Sequence, residues 1–273
     1  LFGTQTFSLI ATFKSIKNFP DIMINSLVNT PWIAYSQSNH QAKLRLFCFP
    51  YAGGSAMVFR NWQDAFPSDV EICPVQLPGR GTRLMEVPFT QIYPLVEAAA
   101  RNLLPYLDKP FAFFGHSLGA LISFELARYL RREYRKNPVH LFASARQAPH
   151  IPDPSPMHAL SEQELLHELQ RLNGTPKEVL ENSEMMQLLM PIVRADLAID
   201  EVYVCTSEAP LECPITVFGG LQDPETSPDI LEAWKQHTNT FFSLQMFPGD
   251  HFFLNTSQSL LLQSLSTKLQ QYR

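Results

Sequence analysis

FAFFGHSLGALISFELARYLRREY, residues 111–134, decides the fold. FAFFG (111–115) is an unbroken apolar run ending in glycine, the pattern of a strand buried on both faces. LGALISFELARYLRREY (118–134) places apolar residues at helical spacing and ends in a basic cluster, so a helix begins directly after Ser117. Between them stands Gly115-His116-Ser117-Leu118-Gly119. The bare G-x-S-x-G pattern arises readily by chance; its place between a buried strand and a helix gives it meaning. A serine on such a turn sits at a helix N-terminus, where the dipole favours developing negative charge. The flanking glycines let neighbouring backbone pass close by.

Strands and helices alternate on both sides of this turn. KLRLFCFP (43–50) and VEICPVQLP (70–78) read as strands, with helical spacing in SAMVFRNWQDAF (55–66) between them. IYPLVEAAARNLLPYL (92–107) reads as a helix, and VHLFASA (139–145), PITVFGG (214–220) and FSLQMF (242–247) as strands. TSQSLLLQSLSTKLQQ (256–271) is a closing helix, with Thr256 or Ser257 placed to cap it. Apolar strands alternating with helices imply a mostly parallel sheet covered on both faces. With a serine elbow, that is the α/β-hydrolase fold. The stretch from about 150 to 210 breaks the alternation: IPDPSP (151–156) opens a loop, and helical patterns follow with no strand between them. It is a candidate lid. Residues 1–40, rich in Ser, Thr, Asn and Phe without a sustained period, are expected to form a poorly structured or loosely packed extension. Residues 41–273 then make up the hydrolase domain.

Composition sets the outer bounds. The 273 residues suffice for one large α/β domain. The net charge of −5 argues against nucleic acid as the main partner, since phosphate binding needs clustered Lys and Arg. No run of about 18 apolar residues is present for a membrane helix, and the N-terminal stretch lacks a secretory signal pattern. A cytoplasmic monomer with no membrane partner is expected. Cys48, Cys73, Cys205 and Cys213 form no CxxC and read as free thiols rather than disulfides or a metal site.

A weak hydroxyl nucleophile needs a base, and the base needs an orienting group. In this fold the chain order is nucleophile, acid, histidine. His251 lies in the loop after FSLQMF, just before the last helix, whereas His237 falls inside the helical run DILEAWKQHT (229–238). His251 is the better base. Asp223 follows PITVFGG at the strand end where catalytic groups of α/β sheets gather. Its rivals are Asp196 and Asp200 in the candidate lid, Asp229 at a helix start, and Asp250 beside the histidine. His116, next to the nucleophile, reads as structural or substrate-contacting. The oxyanion of an acyl-transfer intermediate requires backbone N–H donors. One falls to Leu118, the residue after the nucleophile. The other falls to the loop Tyr51-Ala52-Gly53-Gly54-Ser55, with Ala52 preferred and Gly53 close behind.

With those residues assigned, the chain resembles the type II thioesterases that accompany polyketide synthases and nonribosomal peptide synthetases. The resemblance runs from Asn29-Thr30-Pro31-Trp32 to the C-terminal helix. It rests on LFCFPYAGGSA (46–56), VQLPGRGTRLMEVP (75–88), FFGHSLGA (113–120), LNGTPKEVLENSEMMQLLMPIVRADLAIDEVY (172–203), FGGLQDP (218–224) and PGDHFFL (248–254). It implies Ser117 as nucleophile, Asp223 as acid and His251 as base. The implied substrate is an acyl thioester on the phosphopantetheine arm of an acyl or peptidyl carrier protein, hydrolysed to clear stalled or misprimed groups. No metal or organic cofactor is implied. The basic cluster Arg128, Arg131, Arg132, Arg135 and Lys136 is a candidate docking patch, although basic residues also complement a helix C-terminus. A carboxylesterase or lipase, a chain-terminating thioesterase domain of a larger synthase, and a non-catalytic binding protein on the same fold are the alternatives.

Overall fold

The apolar runs become a six-stranded sheet in the computed structural model, which describes residues 30–35, 39–152 and 156–273. The strands are β1 (Leu44–Phe49), β2 (Val70–Pro74), β3 (Phe111–His116), β4 (His140–Ser144), β5 (Ile215–Gly220) and β6 (Phe242–Phe247). They lie in the order β2-β1-β3-β4-β5-β6, every neighbouring pair parallel. Along β1 the side chains alternate between two cores. Phe47 and Phe49 enter one, Leu44, Leu46 and Cys48 the other. A strand buried on both faces has no polar side to show, hence the unbroken apolar reading. Burying each such side chain contributes roughly 1.5–3 kcal/mol.

Helices α1 (Ile92–Leu103) and α2 (Leu118–Tyr134) cover one face, and α8 (Gln258–Leu269) covers the other. The chain leaves β1 for β2 on one side and returns to β3 on the other. The loops after β1 and β3 therefore diverge, opening the crevice where ligands bind in such sheets. Between β4 and β5 lie α3 (Glu162–Leu172), α4 (Lys177–Leu180) and α5 (Ser183–Glu201). These pack around their own small apolar cluster of Leu165, Leu180, Met186, Met190, Val193 and Leu197. A capping box between Ser161 and Glu164 starts α3.

Several local expectations are corrected. SAMVFRNWQDAF forms two short 3-10 turns, Ala56–Phe59 and Trp62–Ala65, instead of a helix. The closing helix is α8, preceded by a separate short α7 (Phe253–Thr256); Ser257 between them donates its hydroxyl to Pro248 O (2.6 Å) instead of capping. The helix at Asp229 is α6 (Pro228–Glu232), capped by Ser227. Most of the 1–40 extension lies outside the described residues. Thr30–Ile33 is not loose: Trp32 is buried, its ring faces Arg83 at 4.5 Å, and Ile33 bridges Val75 antiparallel. The basic cluster on α2 is partly engaged within the fold, while Arg132 and Arg135 stay exposed. Arg128 is buried against Glu125 and Thr206, Arg131 and Arg132 pair with Glu208, and Lys136 donates to Leu107 O. The cysteines are free, three of them buried.

Candidate active site

The turn at Ser117 is imposed by close packing. A Cβ on Gly115 would fall 2.0 Å from Gly119 O, and one on Gly119 would fall 2.2 Å from Phe49 O. Strand β3, helix α2 and the end of β1 thus meet backbone to backbone, which only glycine permits. Ser117 is left at φ 53°, ψ −119°, a conformation costing a non-glycine residue on the order of 1–3 kcal/mol. Its N–H donates to Ser144 O (2.8 Å), which anchors the turn to β4.

Asp223 and His251 come from neighbouring strand ends. A Cβ on Gly220 would meet Asp250 O at 2.4 Å, so the last glycine of β5 lets the histidine loop lie against the acid loop. Gln222 N–H donates to Gly249 O (2.9 Å), and Gly249 N–H donates to Gln222 Oε1 (2.7 Å). Across this junction His251 Nδ1–H donates to Asp223 Oδ2 (3.0 Å). Asp223 also accepts from Glu225 N–H (2.8 Å) and from the Thr226 hydroxyl (2.7 Å). Burial alone would raise the Asp223 pKa. The bond to His251, its charge and the two further donors outweigh burial and hold the carboxyl below its ordinary value. A carboxylate on Nδ1–H fixes the tautomer with Nε2 as acceptor, the form a general base requires.

Ser117 and His251 line one cavity of about 850 Å³. Among the described residues, the hydrogen bond formed within the trio is Asp223–His251; Ser117 meets His251 across the cavity. Ligand-free sites commonly leave such a contact to tighten with substrate. His116 stands behind both. Its Nε2–H donates to His251 O (2.9 Å), and its Nδ1 accepts from the Ser144 hydroxyl (2.9 Å). Burial, and then the nearby His251, push its pKa down to about 3, so it is a neutral prop for the base. Its role is structural, one of the two readings open from sequence.

The rival residues are engaged elsewhere. Asp196 is buried against Arg80, Asp200 pairs with Arg146 (2.5 Å), and Asp250 accepts from Phe252 N–H (2.9 Å). His237 is not a simple surface histidine: its Nε2 lies 2.8 Å from His150 Nδ1, and burial followed by the charges of His150 and Arg128 lowers its pKa to about 4. The two oxyanion candidates are separated by their partners. Gly53 N–H donates to Asp196 Oδ2 (2.7 Å) and Gly54 N–H to Tyr51 O (2.9 Å). Among the described residues, the N–H groups of Ala52 and Leu118 are committed to no acceptor. Sequence reasoning missed Arg80, Thr226 and Gln222. Thr226, three residues past the acid, had a local signal; Arg80 had none, since its partner lies 116 positions away.

The cavity's far wall is helical and apolar, formed by Leu169 of α3, Val179 of α4, and Leu189, Val193 and Leu197 of α5. Among the described residues no helix is long and apolar enough to cross a membrane.

Comparisons with known proteins show the family. A family model described as a thioesterase domain matches residues 44–269. Linear gramicidin dehydrogenase LgrE of Brevibacillus parabrevis is 48% identical over 245 residues, covering 88% of this chain and 93% of that protein. The redox activity in that name is said of the relative. Among solved structures, the RedJ thioesterase from the prodiginine biosynthetic pathway of Streptomyces coelicolor matches with a TM-score of 0.79 at 40% identity, covering 85% of this chain and 88% of its own. The type II thioesterase BorB from the borrelidin biosynthetic cluster matches with a TM-score of 0.78 at 32% identity, covering 89% and 100%. This chain belongs to the thioesterase family, serine hydrolases built on the α/β-hydrolase fold.

Proposed function

We propose that the protein hydrolyses acyl thioesters held on the phosphopantetheine arm of an acyl or peptidyl carrier protein, clearing stalled or misprimed groups during polyketide or nonribosomal peptide assembly. The carrying observation is His251, held by Asp223, which shares one cavity with a serine on a strained elbow. The thioesterase family match and the type II relative BorB point to the substrate.

In this reading His251 Nε2 takes the Ser117 proton as the hydroxyl oxygen attacks the thioester carbonyl. The oxyanion is held by the N–H groups of Ala52 and Leu118, the latter at the positive end of α2. The carbon–sulfur bond breaks, the imidazolium returns its proton to the leaving thiol, and acyl-Ser117 remains. Water, deprotonated by His251, then attacks the acyl carbon; the bond to Ser117 Oγ breaks as His251 returns the proton to that oxygen, and the free acid leaves. Asp223 stays ionised throughout and stabilises the imidazolium. Helices α3 to α5 act as a lid that holds the acyl chain on its apolar wall and limits water. One chain supplies every group named, so the reading needs no second copy.

The test is deacylation of an acetylated carrier protein, followed by intact-mass spectrometry, beside Ser117→Ala. The wild type strips the carrier, and the variant is slower by about 10⁴-fold or more. A wild type that cleaves p-nitrophenyl esters but leaves the carrier acylated would favour a carboxylesterase and refute the thioesterase substrate.

A further inference from the structure

Asp196 sits on α5, yet its carboxylate serves the other half of the site. Only 1% of the residue is exposed. Oδ2 accepts the Gly53 N–H at 2.7 Å, and Oδ1 accepts from Arg80 Nη2 at 2.8 Å. Arg80 Nη1 completes a two-pronged pair with Oδ2. Arg80 is itself held, with Nε donating to Pro78 O (3.1 Å) and its own carbonyl accepting from Gln76 Nε2 (3.1 Å). Three segments remote in sequence are thereby joined: the loop after β1, the loop after β2, and α5.

The loop after β1 needs such a hold. Gly53 stands at φ +73°, and a Cβ there would fall 2.9 Å from Val193 Cγ2, so α5 presses directly on it. One peptide earlier is Ala52, whose N–H is unclaimed among the described residues and which lines the cavity with Ser117. The Gly53 N–H cannot serve the oxyanion while Asp196 holds it. Holding the Gly53 N–H fixes the Ala52–Gly53 peptide plane and restricts rotation about Ala52, which narrows the directions open to the N–H of the preceding peptide. A carboxylate this close to a developing oxyanion would oppose it, and the bidentate Arg80 cancels that charge. Pro191 lies in α5 just before this contact and removes one helical hydrogen bond.

We propose that Asp196, neutralised by Arg80, is a positioning residue that aims the Ala52 N–H at the oxyanion and ties lid helix α5 to that donor. The lid is then coupled to transition-state stabilisation as well as to acyl binding. This rests on the serine-thioesterase reading above.

The test separates transition-state from ground-state binding. Asp196→Ala is expected to lower kcat about 10- to 100-fold on an acyl-carrier substrate with KM within about threefold. Asp196→Asn, which keeps an acceptor for Gly53 N–H, recovers most of that loss. Arg80→Met alone, leaving the carboxylate unneutralised, is worse than Arg80→Met combined with Asp196→Asn. An alkyl boronic acid gives the direct reading: Ser117 Oγ adds to boron, its proton passes to His251, and the tetrahedral anion occupies the oxyanion position. Boronate affinity falls with kcat/KM in Asp196→Ala, while affinity for a planar, non-hydrolysable acyl-pantetheine amide does not change. Equal loss of both ligands, an unchanged kcat, or no recovery in Asp196→Asn overturns the proposal. Boronate binding that is undiminished in Ser117→Ala overturns the serine reading and this inference with it.

Discussion

The two walls of the cavity are built on different principles. On the sheet side, Ser117, Asp223 and His251 sit on loops pinned by backbone contacts that glycines at 115, 119 and 220 allow. On the helical side, α3 to α5 enclose a small cluster of their own. They meet the sheet side through the ion pairs Arg80–Asp196, Arg146–Asp200 and Arg171–Glu225, and through apolar contacts of Val193 with Gly53 and of Ile199 with the main core. A sub-ångström geometry is held best by close-packed backbone, and a variable acyl chain is accommodated best by adaptable apolar side chains. In the proposed function the chemistry falls to the first wall and selection to the second.

That contrast breaks if substitutions on the two sides have similar effects. Asp223→Asn leaves His251 without the carboxylate that sets its tautomer, and kcat is expected to fall about 10⁴-fold. Leu169→Ala on the helical wall should cost less than about tenfold in kcat on the same acetyl-carrier substrate. Stopped-flow or mass-resolved rates for the two variants, compared with wild type, decide the matter. Val179→Trp sharpens it: filling the chamber should shift preference toward acetyl over octanoyl carriers by about 10- to 100-fold, with the acetyl rate little changed. A uniform fall across chain lengths would mean α4 does not meet the acyl chain.

The sheet side also carries a pH signature. Burial, followed by the charge of Lys268, pushes the His140 pKa down to about 3 from an ordinary 6.5, and His116 behaves likewise. Between those values the unfolded chain binds protons that the folded rings refuse. Stability is therefore full above about pH 6.5 and declines as pH falls toward 3, by at most about 1.4 kcal/mol per pH unit for each ring. His140→Gln removes one ring remote from the cavity. Urea midpoints measured at pH 7 and pH 5 should converge in that variant relative to wild type, and an unchanged gap would refute the neutral buried state. The smallest effect is expected from Arg131→Glu with Arg132→Glu, whose partner Glu208 is itself partly exposed. Stability should change by about 1 kcal/mol or less and carrier turnover by less than about twofold. A large selective loss on carrier substrates would restore this helix end as a docking surface.

Local pattern carried much of the site. Ser117 was legible because a strand, a turn and a helix follow one another within a short window. Asp223 and His251 were legible because each ends an apolar strand in the required chain order. The 3-10 turns at 56–65 were not, since short amphipathic spacing does not distinguish one turn from several. The packing of Trp32 was not, because residues 30–33 gain their order from Val75 and Arg83, far along the chain.

The sequence by itself determined the parallel α/β sheet and the strand–turn–helix at Ser117, and it singled out Asp223 and His251 as candidates that the fold brings into hydrogen-bond contact, because periodicity and chain order are properties of neighbouring residues. Only the tertiary structure decided that Asp196 belongs to Arg80 and Gly53, that Gly53 rather than Ala52 has its N–H occupied, and that Arg128 is buried against Glu125. Those outcomes depend on which buried charges and donors meet across the crevice, and desolvation makes each such meeting obligatory without leaving a local mark in the sequence.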